Sequence, residues 1–421
     1  MIQTLANAWK IPELRKKLMF TMLVLLLYRI GCVVPVPFIN AEMMTTYFDT
    51  VLSDTILGLY NAMSGSAFSQ ASVLALSIQP YINSSIIVQL LTVAIPALER
   101  MAKEEGEEGK KKLTLITRYT TVALGLLMGF AYYTMINSYG IVTESGFLSA
   151  LVIILAFTAG SAVVMWLGEQ ITEFGIGNGI SMILFANIVS RLPSGVMSLI
   201  NMGWWGLLVA VVVVALIVFI VFINDAERRI PIQYAKRVVG RKVYGGQNTN
   251  LPIKVSMSGV MPVIFASSIC SIPATICTFM GITADSGNWW YDNLWSPNSW
   301  AYAVVYGLMI FFFSWFYSTI QYDPVEIANN LKKNGGFIPG FRPGKPTADF
   351  IQKVINKIVI FGAVYLAIVA LLPIVAGNLV PGAANMAIGG TSTIIVVGVA
   401  LETVKAIEAQ MLMRHYKGFL D

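Results

Sequence analysis

The chain has 421 residues, 56% of them hydrophobic and only 12% charged, with a formal net charge of +6. Water-soluble domains carry about twice that charged fraction, so the composition excludes an ordinary soluble enzyme or binding module and describes an all-α chain dissolved in lipid. A single histidine, His415, and three cysteines without a CxxC pair leave no basis for histidine catalysis, a disulfide framework or a zinc site; no metal or cofactor site is read.

Lys10, Arg15, Lys16 and Lys17 precede an apolar stretch over 18–38, about the length a spanning helix needs. It contains Arg29 and no small-residue cleavage site, so it is a retained first span rather than a signal peptide. In 39–71, the run Thr55-Ile56-Leu57-Gly58-Leu59-Tyr60-Asn61-Ala62-Met63 closes on Ser64-Gly65-Ser66. It is too short to span. It either folds back as a re-entrant element or lies in the interface as an amphipathic helix, and periodicity leaves both open.

The second span, 72–98, is long and interrupted by Pro80; the third to sixth are 114–138, 147–167, 179–193 and 205–223. In the loop 224–256, alternating segments flank Gly245-Gly246, the pattern of a basic β-hairpin. The seventh span, 257–280, holds Pro262 and Pro273; the eighth is 301–320. A second loop, 321–357, leads to the ninth at 355–376 and the tenth at 390–413.

With the N-terminus inside, the segments 1–17, 99–118, 168–178, 224–256, 321–357 and the tail, together with Lys405, hold all 28 Lys and Arg residues except Arg29 and Arg191. The segments 39–71, 139–146, 281–300 and 377–389 hold none. This asymmetry places both termini in the cytoplasm. Trp204 and Trp205, and the cluster Trp289, Trp290, Trp295 and Trp300, fit interfacial aromatic belts.

Ten spans divide into halves of five, 1–193 and 194–421. An odd number per half forces the second to enter from the opposite side, which gives inverted repeats around a central axis. Irregularities recur at matching places: prolines in spans two and seven, Gly175–Gly179 opening span five, and Gly389-Gly390-Thr391-Ser392 opening span ten.

Neither glycine-rich run binds nucleotide. Around Gly344-Lys345, Pro339 stands at the first glycine position of a phosphate loop and Pro346 replaces its Ser or Thr; the run from Gly175 to Ser181 has the wrong spacing for a dinucleotide fingerprint. Uphill work must then be powered by a partner or the membrane potential. At mid-bilayer there are almost no ionisable groups: Arg29, which snorkels or finds a carbonyl, and, near the inner end of span ten, Glu402 and Lys405, three apart and expected to pair. A solute transporter would show more, and an intramembrane enzyme would need a base. Ile78, Ile82, Leu184, Ile188, Ile264 and Ile395 lie along the suspected axis, as packing or as a dewetting closure. Ser85, Gln89 and Thr92, and Ser268, Ser271 and Thr275, form weakly polar stripes on spans two and seven, as a seam or as ordinary helix packing.

The run Gly168-Glu-Gln-Ile-Thr-Glu173-Phe-Gly-Ile-Gly-Asn-Gly-Ile-Ser181 resembles the SecY family of protein-conducting channels. So do Pro80-Tyr81-Ile82, Gln89-Leu-Leu-Thr92, Tyr234-Ala-Lys-Arg237, Ala266-Ser-Ser268 and the stretch Asn330–Gly340. The resemblance implies a clamshell of ten transmembrane helices in two inverted five-helix halves around a central pore. It implies a constriction ring at Ile78, Ile82, Leu184, Ile188, Ile264 and Ile395, and a plug near Thr55–Gln70 with Thr55, Ile56, Leu57, Leu59, Tyr60, Met63 and Gly65. A lateral gate would run along Ser85, Gln89, Thr92, Ser268, Ser271 and Thr275. Arg237, Arg241 and Arg342 would engage the motor ATPase SecA or the ribosome, with SecE and SecG as membrane subunits. The implied function is passage of unfolded secretory preproteins and their signal peptides across the bacterial cytoplasmic membrane, with lateral release of apolar segments into lipid. Leu184 stands where the family usually has isoleucine, and Ser66 where the plug hinge has glycine.

Overall fold

The computed structural model describes residues 2–417 except 53–55, 104, 145, 202, 235–236, 240–241, 245–247, 258, 280–289, 291–293, 296–298 and 380–389. The first half opens with α1 (Ile2–Lys10) and α2 (Pro12–Gly31), where Pro12 occupies a first-turn position whose missing N–H costs nothing. After α3 (Ala41–Tyr47), capped by Asn40, a π-helical turn Phe48–Leu52 leads to α4 (Ile56–Ser64). Next come α5 (Gln79–Ala94) and α6 (Pro96–Lys103), bent by 107° at their junction. Pro80 therefore starts α5 instead of interrupting it, and 73–78 are turns, a correction to the long second span. The antiparallel pair α7 (Gly106–Ser138) and α8 (Phe147–Phe174) packs through small residues: a Cβ on Gly125 would lie 2.9 Å from Ser161 Oγ. Next come α9 (Gly179–Ser190) and α10 (Leu192–Asn201), the latter running across the expected boundary between 193 and 194.

The second half continues with α11 (Trp204–Asp225). The loop that follows carries β1 (Glu227–Tyr234), β2 (Arg237–Val239), β3 (Lys242–Tyr244) and β4 (Asn248–Lys254). The basic loop does form antiparallel strands, with β1 paired to β4 from Glu227 opposite Lys254 to Gln233 opposite Asn248 and β2 paired to β3; β3 and β4, on either side of Gly245-Gly246, belong to different sheets. Helices α12 (Met261–Phe279), α13 (Trp300–Gln321) and α14 (Pro324–Lys333) come next. Then β5 (Gly336–Phe337) takes the free edge of β1, with Tyr234 opposite Gly336. The two basic loops are thus one three-stranded sheet. A Cβ on Gly336 would lie 3.0 Å from the Tyr234 ring, so glycine permits that approach. Ile230, Ile232 and Ile253 bury the sheet's inner face against Ile338, Ile351 and Ile355. The chain ends with α15 (Lys345–Leu379) and α16 (Gly390–Lys417).

Each of the ten expected segments contains a helix: α2, α5, α7, α8, α9, α11, α12, α13, α15 and α16. Among the described residues, six helical stretches are long and apolar enough to cross a membrane, or seven if the bent pair α5–α6 is one span. One apolar core joins residues of both halves, and the halves meet where α9 packs on α16 and where α12 packs on α4, α5 and α7.

Candidate functional site

The glycine run between α8 and α9 is a turn whose backbone N–H groups are taken up by nearby side-chain oxygens. Gly177 adopts φ +75°, a region closed to most side chains. Asn178 Oδ1 accepts from the N–H groups of Ile180 and Ser181, and Thr172 Oγ1 accepts from the N–H of Gly179 at 2.9 Å. A Cβ on Gly179 would strike the carbonyl oxygen of Gly168. The motif presses α9 onto α8 and so fixes where Leu184 and Ile188 sit.

All six axial residues are buried in the same apolar core, from 1% exposure at Ile78 and Leu184 to 6% at Ile188 and Ile264. Leu184, Ile264 and Ile395 line one cavity of about 420 Å³. Ile78 is not part of that lining; its Cδ1 lies 3.6 Å from the position a Cβ on Gly168 would take. The lining of this vestibule is mixed: Asn178, Ser181, Lys254, Gln321, Tyr322 and Glu402 beside a larger apolar share that includes Leu184, Ile264 and Ile395 of α9, α12 and α16. Burial pushes the Tyr322 phenol above its ordinary value, so it presents a neutral hydroxyl.

α4 takes no part in this lining. It packs on α9 and α12, with Leu57, Asn61 and Met63 buried, so it folds back into the protein and does not lie in an interface. The Tyr60 hydroxyl shares a hydrogen bond with Ser271 Oγ at 3.2 Å. Thr55 lies outside the described residues, as do the side chains of Ile56 and Leu59. Beyond α4 the chain turns through Gly65 and Ser66, both at positive φ. It is then held by the Tyr132 hydroxyl, which donates to Phe68 O at 2.8 Å, and by a bridge between Pro35 and Ser72.

α5 packs on α12, and each of the two polar stripes makes hydrogen bonds within its own helix: Gln89 donates to Ser85 and Thr92 to Gln89 O. Ser271 donates to Ser268 O and Thr275 to Ser271 O. Ser268 Oγ is buried without a partner.

Lys405 Nζ bonds Asp225 Oδ1 at 2.7 Å, in place of the expected Glu402; Glu402 faces the vestibule with Lys254. Arg342 is exposed on the loop after β5. Arg237 is the first residue of β2, with its side chain undescribed, and Arg241 lies outside the described residues. Asn187, completely buried on α9, went unremarked in the sequence because an asparagine in an apolar helix carries no spacing signal. It donates to Tyr28 Oη at 2.9 Å and to Met63 O at 2.7 Å.

A SecY family model matches residues 72–404. The protein translocase subunit SecY of Streptomyces scabiei is 44% identical over the whole of both chains. The chain belongs to the SecY family. Two solved structures share its fold. One is a SecY protein whose plug domain stabilises the closed channel and maintains a membrane seal (TM-score 0.67, 18% identity, 94% of this chain and 92% of that one). The other is Sec61 of the canine ribosome-channel complex (TM-score 0.62, 16% identity, 94% and 92%). Within the SecY family, then, this member is a channel subunit of a protein translocase, embedded in the membrane by multiple helices.

Proposed function

We propose that this chain is the polypeptide-conducting pore of a bacterial Sec translocase, with ten spans in two inverted halves, 1–193 and 194–421, and both termini in the cytoplasm. The observation that carries the reading is that Leu184, Ile264 and Ile395, from α9, α12 and α16, line one cavity, while α4 packs on α9 and α12; we read these three residues as the vestibule floor. A bulky apolar constriction excludes water and ions at rest yet slides past any side chain. Ile78, Ile82 and Ile188 complete the ring, and α4 with Gly65 forms the plug.

The halves part along α5 and α7 against α12 and α13, where an apolar segment in transit gains about half a kcal/mol per Leu or Ile by entering lipid. SecA or the ribosome docks on the sheet and the Arg342 loop and supplies the drive, with Arg237 and Arg241 on the same loop system. SecE and SecG flank the helices. The test is reconstitution with the motor ATPase, SecE and SecG in vesicles. ATP-dependent import of an unfolded preprotein supports the reading; vesicles that take up only small solutes would contradict it.

A further inference from the structure

We propose that Arg29 and Asn187 are positioning residues that clamp the plug by its backbone. The proposal rests on reading α4 as the plug. The last carbonyls of any helix lack intrahelical partners, and at the C-terminal end of α4 two of the local carbonyls are taken by groups from other elements. Asn187 Nδ2 of α9 donates to Met63 O at 2.7 Å, and Arg29 Nη1 of α2 donates to Gly65 O at 3.3 Å. A cation there also faces the negative end of the helix dipole.

The clamp is itself braced. Tyr28 Oη accepts from Asn187 at 2.9 Å and lies 3.0 Å from Ser77 Oγ, and Arg29 Nη1 lies 3.5 Å from Asn187 Oδ1. Asn187 and Tyr28 are both fully buried. The seat is shaped for glycine: a Cβ on Gly65 would run into the Arg29 guanidinium and come within 3.2 Å of the Asn187 Cα. When the plug leaves, a buried amide and a part-buried guanidinium lose their carbonyls. Plug departure is therefore opposed by polar groups on α2 and α9, whatever side chains α4 itself carries.

The test uses the full channel with its native cysteines replaced and Tyr60→Cys paired with Ser271→Cys. The yield of a short bifunctional thiol crosslink reports whether α4 is seated. Asn187→Leu and Arg29→Met should each lower the yield about tenfold, the scale of losing a hydrogen bond to a charged or buried polar group. Arg29→Lys, which keeps a cationic donor, should restore most of it. Unchanged yield in Arg29→Met overturns the clamp, even where Asn187→Leu fails to accumulate. Resting ion conductance on the same samples separates the two readings. A lost crosslink with an ion-tight channel upholds the clamp and contradicts the sealing role of α4.

Discussion

Tyr60 of α4 and Ser271 of α12 meet through their hydroxyls at 3.2 Å, which ties the candidate plug to the second half of the chain as well as to the first. An interhelical hydrogen bond in a membrane protein contributes about 0.6 kcal/mol on average. Tyr60→Phe should therefore raise resting conductance only slightly, by less than about threefold, as measured in planar bilayers. A large leak would show that Tyr60 holds α4 more strongly than a single such bond.

Replacing residues 57–63 by an equal length of Gly and Ser should leave a folded channel that leaks ions at rest. Phe68 and Ser72 keep their anchors to Tyr132 and Pro35, so the surrounding loop survives the exchange. An ion-tight replacement would remove α4 from the seal.

Glycine at Ile264, Ile395 and Leu184 together should raise resting conductance at least several-fold, because the vestibule floor loses the groups that exclude water. Phe311→Ser, at an exposed position of α13, should not. Equal behaviour of the two sets would dissolve the ring.

Paired cysteines at Ser85 and Ser268, or at nearby facing positions of α5 and α12, should crosslink in the resting channel, because these two helices pack together. Oxidation should stop both secretion and lateral release, and reduction should restore them. A crosslinked channel that still releases apolar segments into lipid at the normal rate would contradict the lateral gate.

These stripes show where sequence reasoning runs out. Spacing of three and four identifies the face of a helix but not what that face packs against, so a gate seam and ordinary helix packing read alike. The helix at each of the ten segments was legible, because apolar length and the Lys and Arg asymmetry are properties of single segments. The antiparallel strands of the basic loop were legible for the same reason: their alternation is local. The addition of β5 was not, since two residues around Gly336 carry no strand pattern. Arg29 was legible as costly in a bilayer, and a carbonyl was one of its two expected solutions; that the carbonyl belongs to Gly65 depends on a fold in which α2 and α4 meet. Asn187 carried no signal at all.

The central claim is that polypeptide passes through the floor formed by Leu184, Ile264 and Ile395. The direct measurement is crosslinking of a preprotein stalled mid-transit, carrying a photoreactive side chain, to the reconstituted channel. The account predicts adducts mapping to Leu184, Ile264 and Ile395 and to the vestibule wall above them, with none at Phe311. Adducts confined to lipid-facing positions, with the floor unlabelled, would contradict it.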